Sequence, residues 1–154
     1  MSEYKRFADL YKQVKELISS AGGGSEALAE VAELLQQEVD HYDWVGFYLA
    51  ENKTGSLTLG PFAGEPTEHT EIDYGEGVCG QAAESKETFT VQDVEQEDNY
   101  LSCSPEVKSE IVVPVFRDQS FVGEIDIDSH EAGVFDSEDE KFLEDLGEEL
   151  APYF

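Results

Sequence analysis

Basic residues are scarce in this chain: Lys and Arg number 9 against 36 Asp and Glu, a formal net charge of −27 over 154 residues. The acidic residues are spread over the length of the chain and do not form a tail. Such a surface repels phosphate backbones and anionic lipid, so no nucleic-acid and no membrane partner is expected. Long apolar runs are also missing, and none approaches the roughly 20 residues needed to cross a bilayer. The stretch Met1 to Phe7 lacks the apolar core of a signal peptide, which makes a cytoplasmic protein the expectation. Cysteine is nearly absent. Cys79 and Cys103 are too few for a structural disulfide framework. Their residue type leaves three roles open: buried small hydrophobe, reactive thiol or redox couple. The histidines His41, His69 and His130 show no metal-ligand spacing with one another or with the cysteines. They read as surface residues, and neither a metal nor a cofactor is expected. No serine stands in a nucleophile elbow, and no phosphate loop is present.

What is there fits one domain, residues 1–154, around one core. Tyr4, Phe7, Leu10, Tyr11, Val14, Leu17 and Ile18 fall at helical spacing, with Ser2 as a cap. Gly22-Gly23-Gly24 is a turn, after which Ser25 caps a second helix carrying Leu28, Val31, Leu34, Leu35 and Val39 on one face. Trp44 to Leu49 and Ser56 to Phe62 form a hairpin of strands. A short strand around Ile72 and Tyr74, a helix over Val78 to Ser85 and a strand over Phe89 to Val91 make an irregular middle. Glu95 to Pro105 reads as a long loop. Ile111 to Phe116 and Phe121 to Asp128 form a second hairpin, turning at Arg117 to Ser120. Ser137-Glu138-Asp139-Glu140 has the capping-box form before a last helix with Phe142, Leu143, Leu146 and Leu150. The expected fold class is α+β: a central antiparallel sheet with the terminal helices packed on one face.

The chemistry concentrates between Gly75 and Ser129. A strand has period two, so Ile125 and Ile127 point one way while Glu124, Asp126 and Asp128 point the other. In an acidic chain that face is either solvated or the floor of a pocket. As a floor, its carboxylates would raise one another's pKa, keep one protonated as an acid, and bind a cationic amine. Glu110, just ahead of an apolar strand, is a further candidate. Trp44 and Tyr48 share a strand face with Gly46 between them, either as core packing or as an aromatic wall around an open gap. Gly75-x-Gly77-x-x-Gly80 meets the spacing of a dinucleotide fingerprint, but it does not sit in a parallel βαβ unit and is rejected as one.

Taken together, Trp44-Val45-Gly46-Phe47-Tyr48, Leu59-Gly60-Pro61-Phe62, Gly77-Val78-Cys79-Gly80, Lys108 to Pro114, Gly123 to Ser129 and Phe135-Asp136 resemble the GAF domain family. The closer resemblance is to its stand-alone branch, the free methionine-(R)-sulfoxide reductases, and it covers nearly the whole chain. It implies a thiol-dependent reduction of free methionine sulfoxide. Cys103 matches the catalytic cysteine, which passes through a sulfenic acid. Cys79 matches a second redox cysteine able to form a disulfide with it, and a thioredoxin-like reductant restores both. Glu110, Asp126 and Asp128 match the carboxylates that hold the substrate, and Trp44 and Tyr48 the aromatic wall around its sulfur end. The chain departs from the pattern at His69, where the family usually has a third cysteine, so resolution falls to Cys79 or to an outside thiol. The alternative is a non-catalytic GAF sensor domain that binds a small molecule. A homodimer through the amino-terminal helix is compatible with either. The charge suggests salt adaptation, since concentrated salt would screen the self-repulsion.

Overall fold

The computed structural model describes residues 3–97 and 106–154, with side chains from Arg6 onward. In chain order it contains α1 (Glu3–Ser20), α2 (Gly24–Glu38), β1 (Trp44–Glu51), β2 (Ser56–Ala63), β3 (Glu71–Asp73), α3 (Gly77–Ser85), β4 (Phe89–Val91), β5 (Ser109–Arg117), β6 (Ser120–Ser129) and α4 (Ser137–Leu150). Short 3₁₀ turns follow β4 and α4. The six strands form one antiparallel sheet in the order β3-β2-β1-β6-β5-β4. The two expected hairpins therefore lie side by side, joined along β1 and β6.

Alternation along the strands divides the core in two. Val45 and Phe47 of β1, Ile111, Val113 and Val115 of β5, and Ile125 and Ile127 of β6 pack beneath α1, α2 and α4. On the opposite face Trp44, Tyr48, Leu57 and Val112 meet Val78, Cys79, Ala82 and Ala83 of α3. The terminal helices thus share one face, as expected, and leave the other to α3.

Two local details differ from the sequence expectation. Helix α2 starts at Gly24 with Gly23 as its cap, not at Ser25. A Cβ on Gly24 would stand 2.8 Å from the Tyr153 carbonyl oxygen, so the bare glycine lets the chain's last turn close on the helix start. Helix α4 is capped by Asp136 instead of Ser137: the Asp136 carboxylate accepts from the Glu138 and Asp139 amides, and Asp139 returns a bond to the Asp136 amide. A carboxylate at a helix start also meets the positive end of the dipole, which a hydroxyl does not exploit. The β5–β6 turn is formed by Asp118 and Gln119, both at positive φ, in keeping with a primed hairpin turn. Ser2 and the stretch 98–105, which includes most of the expected long loop, lie outside the described residues.

Candidate active site

The glycine-rich turn sets the position of α3 over the sheet. Gly75 and Gly77 adopt positive φ, and the Gly75 amide donates to the Gly80 carbonyl at 2.7 Å. A Cβ on Gly80 would approach the Asp73 carbonyl oxygen to 2.5 Å. The glycines therefore serve close backbone packing, which explains a fingerprint-like spacing without a dinucleotide. The first turns of α3 then place Cys79 against the carboxylate face of β6.

That face is buried. Relative exposure is 4% for Glu110, 0% for Glu124, and 1% for Asp126 and Asp128, which excludes the solvated alternative. The register explains the grouping. Asp126 pairs with Gly46 on one side and Val112 on the other, while Asp128 lies between Trp44 and Glu110. Glu110 is the second residue of β5, inside the strand and not ahead of it. Tyr48, His69, Ile72, Gly77, Val78, Cys79, Glu110 and Asp126 line one cavity, small at about 10 Å³. That is about the room one water requires, so a larger ligand enters only if the lining side chains part.

The aromatic pair behaves differently from the open gap pictured from sequence. The Trp44 indole folds over Gly46, so that a Cβ there would lie 2.2 Å from its ring. The ring stacks on Phe62 with centroids 5.6 Å apart, and Nε1 donates to the Glu65 carbonyl at 2.8 Å. Tyr48 reaches the cavity wall, where its hydroxyl donates to the His69 carbonyl at 2.8 Å. The gap is therefore filled by the indole, and Trp44 backs the site from beside Asp128.

The electrostatics are one-sided. Burial pushes the Cys79 thiol well up, and the charges of Asp126, Glu110, Glu124 and Asp128 push it further, so it is a neutral thiol at neutral pH. Its Sγ lies 4.0 Å from Glu110 Oε2. Glu124 is raised well above the ordinary carboxyl range by burial first and the Asp126 charge next, with the Cys79 thiol easing this slightly. Among the described residues neither Glu124 oxygen has a hydrogen-bond partner at ordinary distance, nor has Asp126 Oδ1. Burial raises Asp126 too, offset in part by hydrogen bonds with Glu110 and Cys79. A hydrogen bond between two carboxyl groups requires one of them to hold a proton. The cluster thus contains a stored acid, and among the described residues neither Glu124 nor Asp126 takes part in an ion pair.

The site groups Cys79, Tyr48, Glu110, Asp126 and Asp128, with Trp44 behind, while Cys103 lies outside the described residues. Sequence reasoning passed over Ile72 and Val78, for which the pattern carries no signal beyond the tight glycine turn, while His69, noted only as standing where the family usually has a cysteine, lines the cavity. His41 is a correction. It is not a surface residue: its side chain is only 12% exposed, and Nε2 lies 2.9 Å from Asp139 Oδ1. The Tyr42 hydroxyl donates to the same oxygen at 2.8 Å. This arrangement ties the segment before β1 to the start of α4.

A GAF domain family model matches residues 24–152. The free methionine-R-sulfoxide reductase of Escherichia coli is 34% identical over 150 residues, 97% of this chain and 89% of that one. GAF domain-containing protein A of Dictyostelium discoideum is 36% identical over 142 residues, 92% of this chain and 88% of that one. Among solved structures, the free methionine-R-sulfoxide reductase of Neisseria meningitidis in complex with its substrate superposes with a TM-score of 0.93 at 32% identity, covering 100% of this chain and 91% of that one. The chain belongs to the GAF domain family, in the branch that includes the free methionine-R-sulfoxide reductases.

Proposed function

We propose that this protein reduces free L-methionine-(R)-S-oxide to methionine, with Cys103 as the nucleophile. The observation that carries the proposal is the buried face of Glu110, Glu124, Asp126 and Asp128, drawn together beside a thiol, with no ion pair at Glu124 or Asp126 among the described residues. Such a face is incomplete without a positive group, and a free amino acid brings one in its α-ammonium. A residue inside a peptide has no such charge, which gives selectivity for the free molecule.

In the reaction the Cys103 thiolate attacks the sulfoxide sulfur. The carboxyl proton shared by Asp126 and Glu110 moves to the sulfoxide oxygen. The S–S contact so formed breaks as the protonated oxygen shifts from the methionine sulfur to the Cys103 sulfur: methionine leaves with its sulfur reduced by two electrons, and Cys103, oxidised by two, is left as a sulfenic acid. Cys79 then attacks that sulfur and water is released as the disulfide closes. The thiol proton of Cys79 has an acceptor in Glu110, 4.0 Å away. A thioredoxin-like dithiol reduces the disulfide. The neutral state of Cys79 supports this division of labour, because a protonated thiol does not compete for the substrate. Tyr48 and Trp44 close the aromatic side.

The test is methionine release from the free R and S epimers with dithiothreitol. R-selective release that disappears in Cys103→Ser establishes the reductase. Cys79→Ser should keep a first turnover but lose recycling by thioredoxin. No release by folded protein would point to a binding module of the same family.

A further inference from the structure

We propose that Cys79, Glu110 and Asp126 form a binding site for a thiophilic divalent cation of the zinc type, which competes with an ammonium group for the same carboxylates. One ligand atom from each of the three lies within 4.8 Å of the others, and all three residues are buried. They come from different elements, α3, β5 and β6, so their positions are fixed by the sheet and the helix packed on it. The sequence expectation of no metal site rested on the spacing of the histidines with one another and with the cysteines, and passed over this set.

A separate observation points to a ligand. Glu124 is fully buried on the same strand face, close enough to Cys79 to raise it and to Asp126 to be raised by it, and among the described residues neither of its oxygens has a hydrogen-bond partner at ordinary distance. Asp126 Oδ1 is unpartnered as well among the described residues. Buried polar atoms left without partners are costly, and a cation bound among them removes that cost.

The donor set selects the ion. One thiolate and two carboxylates suit zinc, which takes sulfur at about 2.3 Å and oxygen at about 2.0–2.2 Å. Ligands at those lengths stand about 3.3–3.6 Å from one another in a tetrahedral shell, so the 4.0 Å between Cys79 Sγ and Glu110 Oε2 closes by a side-chain adjustment. Magnesium keeps several waters and avoids sulfur, and a cavity of about 10 Å³ does not hold those waters. On binding, the S–H bond of Cys79 breaks, an S–metal bond forms and the proton leaves to solvent, with no change of oxidation state.

The test uses the reduced full chain in potassium chloride sufficient to screen surface charge. Zinc is titrated by calorimetry, cobalt(II) by absorption, and magnesium serves as the control. The proposal expects one zinc per chain, a cobalt–thiolate charge-transfer band, and little magnesium binding. Cys79→Ser and Cys79→Ala should abolish the band, and Asp126→Asn should weaken zinc by at least about tenfold. Cys103→Ser should keep the band. A missing band overturns the site, as does a band lost in Cys103→Ser and kept in Cys79→Ser. Zinc and magnesium binding alike, unaffected by Cys79→Ser, would show surface carboxylates only and overturn it too. Because no turnover is measured, failure of the reductase proposal leaves these readouts intact.

Discussion

Glu124 shows what separates a composition argument from a structural one. In the sequence it is one acidic residue among 36, and its period-two match to Asp126 and Asp128 fits a wet face as well as a pocket. The structure buries it completely, and among the described residues neither oxygen has a hydrogen-bond partner at ordinary distance. Replacing it by an apolar residue removes an uncompensated polar burial. Glu124→Leu is expected to stabilise the fold by about 1–3 kcal/mol at neutral pH, read as a higher urea midpoint with an unchanged slope. A midpoint equal to or below the parent's would mean that the carboxylate has found a partner in solution. Period alone therefore placed the carboxylates on one face, but burial was not legible, because it depends on α3 arriving from another part of the chain. The fold of the Trp44 ring over Gly46 was hidden for the same reason: a rotamer choice leaves no periodic trace.

At the scale of elements, the strands and helices were legible nearly throughout, since each has a clean period: two in β5 and β6, helical in α1, α2 and α4. The helix starts were less so. Asp136 displaced Ser137 as the α4 cap because its partner, Asp139, is also held by His41 and Tyr42, nearly a hundred residues earlier in the chain. Burial alone would raise the Asp139 pKa, but the hydrogen bonds from His41, the Asp136 amide and Tyr42 outweigh it and hold it below the ordinary range. A carboxylate depressed by folding contributes stability that is fully present above its unfolded pKa of about 3.9. That contribution is lost as pH falls through the folded value. Asp139→Asn should therefore cost about 1–3 kcal/mol at neutral pH, with the gap to the parent shrinking as the pH drops below about 4. Urea titrations at several pH values check this, and a gap independent of pH would contradict it.

For the whole molecule the dominant fact is the net charge of −27. The described residues form few ion pairs, among them Lys141 with Asp145 at 2.9 Å and Lys15 with Glu149 at 3.9 Å. Most of the repulsion is therefore answered by solvent ions alone. We propose that the surface is adapted to concentrated salt. The melting temperature should rise from dilute buffer to about 2 M KCl as the Debye length falls to about 3 Å or less, by about 2–4 °C for each kcal/mol of repulsion relieved. A flat or falling profile would assign the acidity to something other than salt. The same charge bears on function, because an acidic surface around an acidic pocket draws in cations. The most direct test of that account is a comparison of free methionine-(R)-sulfoxide with its N-acetyl derivative, which differs in lacking the α-ammonium. Rapid methionine release from the free amino acid, with kcat/KM for the acetylated one lower by at least about a hundredfold, is the predicted result. Equal turnover of the two would show that the buried carboxylates do not receive the ammonium, and would contradict the account at its centre.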